Sequence, residues 1–242
     1  MLSLILPAHN EARLLAQTLA VLRQAVAEAQ LQAEIIVVDD ASTDATAAIA
    51  AAAGVRVLRI DARHIAAARN AGAAIAHGTM LCFVDADTHV DAALLRAAVQ
   101  VLRSGASGGG ARVRLQRPVP WHVRASEAFF GALLRWARIA PGCFLFCTRQ
   151  AFEAAGGFDP RFYAGEDVAM SRALARLGRF VLLREIAWTS PRKLQTFSAW
   201  EHLKLFLALA RHGRGLLRSR ERLDFWYGDR RDLPERHDDP PH

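Results

Sequence analysis

Short apolar runs alternate with stretches of helical periodicity through the N-terminal half of the chain. This alternation limits the available folds more than any other feature. Residues 2–6 form an apolar run of strand length, and Pro7-Ala8-His9-Asn10 breaks it, with Asn10 placed to cap the helix that follows. Leu15, Leu19, Leu22 and Val26 then recur at helical spacing. Glu34-Ile35-Ile36-Val37-Val38 reads as a second strand, buried on both faces and ending at Asp39-Asp40. Ser42 or Asp44 caps a helix running to Ala53, and residues 55–60 make a third strand. An alanine-rich helix over 66–76 ends at Gly78, residues 80–84 are the fourth strand, and 91–102 the next helix. Strand and helix taking turns in units of roughly 30 residues predict parallel pairing with right-handed crossovers. The expected class is therefore α/β, with a mostly parallel central sheet and helices on both faces.

Composition bounds the rest. A chain of 242 residues, 52% hydrophobic, has ample material for a core. Its formal charge of +7 comes mostly from arginines spread along the chain, and no nucleic-acid recognition motif accompanies them, so nucleic acid is not an expected partner. No segment approaches the roughly 20 apolar residues of a spanning helix. The first apolar run lacks a preceding basic region, which predicts no signal peptide. Three cysteines are too few for a disulfide framework, and Cys143 and Cys147, four apart on an expected strand, would lie about 13 Å from one another. A reducing cytoplasm is the expected location.

The second half is less regular. Residues 104–110 read as a flexible glycine-rich loop; it lacks the Gly-Lys-Ser/Thr ending of a phosphate loop and leads into a strand at 111–115. A helix over 121–138 carries Trp121, Phe129, Phe130 and Trp136. A strand at 142–147 and a short helix at 150–155, stopped by Gly156-Gly157, precede Glu166-Asp167 and a helix with Met170, Leu174 and Leu177 on one face. A last, broadly apolar helix spans 197–212. The domain reading is one unit over 1–212, with halves 1–118 and 119–212, and a basic, then Pro- and Asp-rich tail over 213–242 that is disordered beyond 229.

Four polar clusters fall at strand ends or loops: Pro7 to Glu11, Asp39-Asp40, Asp85-Ala86-Asp87 and Glu166-Asp167. The first three follow parallel strands and so share the carboxyl edge of the sheet, where open α/β folds bind ligands. Two carboxylates one residue apart at the end of Met80-Leu81-Cys82-Phe83-Val84 suit a hard cation such as Mg²⁺ or Mn²⁺ held against a phosphate. Aspartates also end strands as simple turn residues, and acids also favour a helix N-terminus for its dipole.

In order along the chain, several motifs resemble family 2 glycosyltransferases. They are Leu4-Ile5-Leu6-Pro7-Ala8-His9-Asn10-Glu11, Ile36-Val37-Val38-Asp39-Asp40-Ala41-Ser42-Thr43-Asp44, Ala68-Arg69-Asn70-Ala71-Gly72, Asp85-Ala86-Asp87, Gly156-Gly157-Phe158-Asp159 and Gly165-Glu166-Asp167. The resemblance covers residues 2 to 195 and implies the GT-A fold, a nucleotide-sugar-binding half (1–118) and an acceptor half (119–212). It further implies that Asp87 holds Mg²⁺ or Mn²⁺ on the donor diphosphate, with Asp85 facing the ribose or sharing the metal. Asp40 would read the base of a uridine donor beside Asp39. Pro7, Asn10 and Glu11 would line the nucleoside pocket, and Arg69 would contact Asp85 or a phosphate. Asp167 would be the general base of an inverting transfer, with Glu166 its neighbour and substitute.

The chain lacks the Gln-x-x-Arg-Trp segment of processive synthases, which predicts transfer of one sugar at a time. Ser190-Pro191-Arg192-Lys193 stands after the base region, either closing over the diphosphate or forming a solvated turn. Trp200, Leu203, Phe206, Leu207 and Ala210, followed by Arg211, Arg214, Arg218, Arg220 and Arg222, make a basic amphipathic stretch. It suits either the domain core or the inner face of an anionic membrane, and the latter fits a lipid-linked or cell-envelope glycan acceptor. Two other readings compete. Asp85-Ala86-Asp87-Thr88 resembles the haloacid-dehalogenase phosphatase loop, with its threonine one position early, and a degenerate nucleotide-binding module would keep the fold without the chemistry.

Overall fold

Successive residues of the first strand face opposite ways, and that divides the core in two. The structure, a computed structural model, describes residues 1–116, 119, 124, 127, 131, 139–162 and 165–191. From β1 (Leu2–Ala8), Leu4 and Leu6 enter one apolar layer and Ile5 the other. β2 (Ala33–Asp40) and β4 (Met80–Val84) do the same, with Val37, Cys82 and Val84 on the first side and Ile36, Val38, Leu81 and Phe83 on the second. The first layer is covered by α1 (Ala12–Glu28), α2 (Thr46–Ala52) and α4 (Ala92–Arg103). The second is covered by α3 (Ile65–Ile75), α5 (Arg149–Ala154) and α6 (Glu166–Leu177). Helices on both faces follow from strands that are apolar on both faces.

The remaining strands are β3 (Arg56–Ile60), β5 (Thr88–His89), β6 (Gly108–Leu115), β7 (Phe144–Thr148) and β8 (Phe180–Thr189). The described residues form one eight-stranded sheet in the order β3-β2-β1-β4-β7-β6-β8-β5. β1 to β4 are mutually parallel, β7 runs antiparallel to both β4 and β6, β6 pairs parallel with β8, and β5 closes antiparallel on β8. Every described element belongs to the unit Met1–Ser190, and Pro191–His242 makes the second unit.

Several local expectations need correction. Gly108, Gly109 and Gly110 are not a linker but the first part of β6. A Cβ on Gly109 would lie 2.1 Å from the Val181 carbonyl oxygen and 2.5 Å from a Phe146 ring carbon, so neighbouring strands leave room for glycine alone. Asn10 does not cap α1. It sits in the left-handed region at φ 52°, its Oδ1 accepts from the Thr43 amide at 2.8 Å, and Glu11 starts the helix without a side-chain cap. Ser42 is likewise no cap: its Oγ accepts from the Asn10 amide at 3.0 Å. Asp44 accepts from the amides of both Thr46 (2.9 Å) and Ala12 (3.1 Å), serving the starts of α1 and α2 together. Asp91 caps α4 through the Leu94 amide at 2.8 Å. The strands β5 and β8 have no counterpart among the strands expected from the sequence; His89 is in β5 opposite Trp188.

Of the helix expected over 121–138, Arg124, Glu127 and Gly131 are described, all helical. Arg192 and Lys193, the helix 197–212 and the tail 213–242 lie outside the described residues. Among the described residues, no helix is long and apolar enough to cross a membrane.

Candidate active site

The chain places β2 and then β3 on one side of β1, and returns to place β4 on the other. The crevice at the carboxyl ends of β1 and β4 is therefore a topological switch point, the usual ligand site of an open parallel sheet. Pro7, Asn10, Glu11, Asp39, Asp40, Asp85 and Asp87 all stand at that edge. Phe144 pairs with Val84 in the antiparallel ladder, so the chain enters β7 at the same edge, and the Asp85 amide donates to the Cys143 carbonyl at 3.1 Å. This is how the second half of the chain reaches the first three acid clusters.

Arg69 joins them to the fourth. It is 1% exposed. Its Nη1 donates to Glu166 Oε1 at 2.7 Å, and its Nη2 donates to Asp85 Oδ1 at 3.0 Å and to the Gly142 carbonyl at 2.9 Å. Its guanidinium carbon lies 5.1 Å from the centre of the Phe158 ring. One turn further along α3, a Cβ on Gly72 would fall 2.4 Å from an Ile5 methyl, so the glycine lets α3 lie close on the sheet and brings Arg69 over the crevice. Burial pulls the Arg69 pKa down, but the charges of Asp85, Glu166 and Asp167 raise it above its ordinary value. Glu166 is itself buried and committed to this ion pair.

Asp167 follows in the first turn of α6, which starts from Gly165 in the left-handed region at φ 78°. Its Oδ1 accepts from the Val168 amide at 2.7 Å. Burial, then the Glu166 charge, push its carboxyl up to about 7, against the opposing pull of Arg69. Gly142 lies beside its Oδ2 and leaves that oxygen uncrowded.

The two acids ending β2 behave differently. Asp40 Oδ1 accepts from the amides of Ala62 and Arg63, each at 2.7 Å, and Oδ2 from the His64 amide at 2.7 Å. Asp40 thereby holds the β3–α3 loop, while His9 Nδ1–H donates to its carbonyl at 2.6 Å. Asp39 is 0% exposed, and among the described residues neither carboxylate oxygen has a hydrogen-bond partner, although Arg59 Nε approaches Oδ2 at 3.2 Å. Asn10 and Glu11 tie the β1–α1 loop to the β2–α2 loop, Glu11 through its amide to Thr46 Oγ1 at 2.8 Å.

Asp87 is 3% exposed and lies 3.3 Å from the Thr189 hydroxyl. Among the described residues, no group of three or more His, Cys, Asp and Glu side chains is gathered to hold a metal alone. The oxygen donors here suit a cation of the Mg²⁺ or Mn²⁺ type, which binds through one or two carboxylates and takes further ligands from a substrate's phosphates. Asp85 has an oxygen engaged by Arg69, which leaves Asp87 as the better ligand. His89 lies close enough to Asp87 to feel its charge: burial pushes its imidazole pKa down, with the Asp87 charge opposing.

Residues 3–154 match glycosyl transferase family 2. The chain belongs to that family. The family match ends before Glu166 and Asp167; Glu166 reaches the matched region through Arg69. The fold is that of solved GT-A glycosyltransferases. TarS from S. aureus (residues 1–349) superposes with a TM-score of 0.62 at 18% identity, covering 81% of this chain and 62% of that one. PcManGT, a mannosyltransferase from Pyrobaculum calidifontis in complex with GDP-Man and Mn²⁺, gives a TM-score of 0.65 at 18% identity, covering 95% and 70%. TarS 1–349 has also been solved with UDP-GlcNAc, with a TM-score of 0.62 at 18% identity over 78% of this chain and 58% of that one. The chain spans under two thirds of the TarS chains' length. Comparison with curated protein sequences gives no match.

The sequence reading did not single out Gly142, Thr189 or the ring of Phe158 as parts of this site. Gly142 was readable only as the residue opening a strand, and Thr189 lies on a strand that carries no alternation; neither has a local pattern that points to the crevice.

Proposed function

We propose that this chain is a metal-dependent, inverting glycosyltransferase that moves one sugar from a nucleoside-diphosphate sugar to an acceptor hydroxyl. The observation that carries the reading is the single Arg69 guanidinium joining Asp85, at the donor edge, to Glu166, the residue before Asp167. It brings a phosphate-side acid and a raised-pKa carboxylate to one crevice, as a single in-line displacement requires.

Asp87 would hold Mg²⁺ or Mn²⁺, which supplies Lewis-acid neutralisation of the leaving diphosphate. Asp85 faces the ribose. Asp167 takes the proton of the acceptor hydroxyl as its oxygen bonds to the anomeric carbon, while the bond from that carbon to the diphosphate oxygen breaks and its electron pair leaves with the nucleotide. A carboxylate with a raised pKa is the stronger base for this step. Glu166 is not the substitute base: its charge is spent on Arg69.

The base-reading role moves from Asp40 to Asp39. All three amides on Asp40 come from the β3–α3 loop, whereas buried Asp39 has two acceptor oxygens without donors among the described residues. A ring N–H at the pairing edge satisfies such an acceptor; uracil and guanine have one, cytosine and adenine do not. The resemblance favours uridine. Pro7 walls the nucleoside pocket, and the acceptor is a lipid-linked or envelope glycan hydroxyl.

The test is calorimetric titration with UDP, GDP, CDP and ADP, each with and without Mn²⁺, followed by a screen for slow hydrolysis of the matching nucleotide sugars. Metal-dependent binding of UDP or GDP is expected. Absence of binding to every nucleoside diphosphate, or binding indifferent to metal, rejects the proposal.

A further inference from the structure

We propose that Arg69, with its neighbour Asn70, is the positioning residue of this site: one guanidinium holds the donor-side acid and the helix bearing Asp167 in a fixed relation, and so governs how Asp167 works as a base. This rests on the reading of Asp167 given above and adds a residue that acts without touching substrate.

The geometry points this way in three respects. Arg69 is 1% exposed, and it is in contact with Glu166, Asp85, the Gly142 carbonyl and the Phe158 ring. A buried fork whose two terminal nitrogens are already bound to acids and a carbonyl is not available to a phosphate. Second, the groups it binds come from three separated parts of the chain, each adjoining the crevice: the end of β4, the entry to β7 and the first turn of α6. Third, Asn70 grips the next loop at two points. Its Oδ1 accepts from the Phe158 amide at 2.9 Å, and its Nδ2 donates to the Phe158 carbonyl at 2.8 Å. Two consecutive residues of α3 thus fasten the loop after α5 and the start of α6 to the nucleotide-binding half.

Charge makes this more than a fastening. The charged groups facing Asp167 are Glu166 on its own helix, Arg69 from α3 and Asp85 from the end of β4. Arg69 is the one cation among these four groups. Its removal leaves three carboxylates together, which disfavours ionisation of Asp167. Removal of Glu166 does the reverse. A merely structural contact predicts no such opposition of sign.

The experiment follows the Asp167 carboxyl by ¹³C NMR of chain labelled at aspartate, the signal assigned by its loss in Asp167→Asn. In Arg69→Gln the titration midpoint is expected to rise by about one pH unit, and in Glu166→Gln to fall. Arg69→Lys keeps the charge without the fork, so its midpoint stays near native. In donor hydrolysis, all three variants are expected to lose at least tenfold in kcat with less than threefold change in donor KM. Midpoints that fail to move in opposite directions overturn the proposal, as does a loss confined to donor KM. Should Arg69→Gln fail to fold, Arg69→Lys and Glu166→Gln decide the matter alone. The titration needs no substrate, so an absence of any donor turnover in the native chain rejects the enzymatic reading while leaving the Arg69 coupling separately decided.

Discussion

Gly142 lies flat against Asp167: a Cβ on residue 142 would fall 3.0 Å from Oδ2 and 3.3 Å from Cγ of that side chain. Contacts this short force the carboxylate to shift by a few tenths of an ångström. A general base works only over a narrow range of positions, and small displacements are costly in rate. Gly142→Ala is therefore expected to lower kcat roughly tenfold or more with donor affinity unchanged, measured by steady-state hydrolysis alongside calorimetry. Equal losses in both would mean that the substitution acts on the fold.

The raised Asp167 carboxyl gives the activity and the stability opposite dependences on pH. As a base it works only when ionised, so kcat is expected to rise with pH through about 7. For stability, a folded-state pKa above the ordinary 3.8 means that ionising this group opposes folding. The penalty is absent below the ordinary value and complete above about 7. Asp167→Asn should thus raise the melting temperature at pH 8, change it little at pH 4, and abolish transfer at both. A fall in melting temperature at pH 8 would contradict the assignment.

Asp39 and Asp40 should separate cleanly under substitution. Asp40→Ala removes the acceptor of three backbone amides and is expected to cost about 3 kcal/mol of stability in denaturant unfolding. Asp39→Asn removes a buried carboxylate that, among the described residues, has no hydrogen bond and only the mostly exposed Arg59 as counter-charge. It should leave the melting temperature unchanged or raised and weaken nucleotide binding about tenfold. The reverse pattern would return the base-reading role to Asp40.

At the far side of the sheet, Gly109→Ala places a methyl 2.1 Å from the Val181 carbonyl and 2.5 Å from Phe146. Neither backbone nor packed ring can yield that distance without separating β6 from its neighbours. The expected cost is about 3 kcal/mol, read as a lower denaturant midpoint at unchanged slope.

Hydrophobic periodicity along the chain was enough to predict β1 to β4, the helices between them, and acids at one sheet edge. Those features follow from local spacing: an apolar run of five residues makes a buried strand, and whatever polar residue follows must emerge at its end. Residues 111–115 of β6 were legible as a strand, but its start at Gly108–Gly110 and polar-interrupted β8 carry no such pattern; at the glycines the strand geometry is imposed by neighbours close enough to exclude a side chain. Aspartates 39 and 40 look alike as sequence, and only the path of the β3–α3 loop decides which one is consumed by amides. The partnership of Arg69 with Glu166 spans 97 positions of chain, a separation over which no local pattern carries information. The chemical identities of the site were thus written in order along the chain, and the tertiary structure decided which charges meet, since meeting depends on how the whole sheet brings distant loops to one edge.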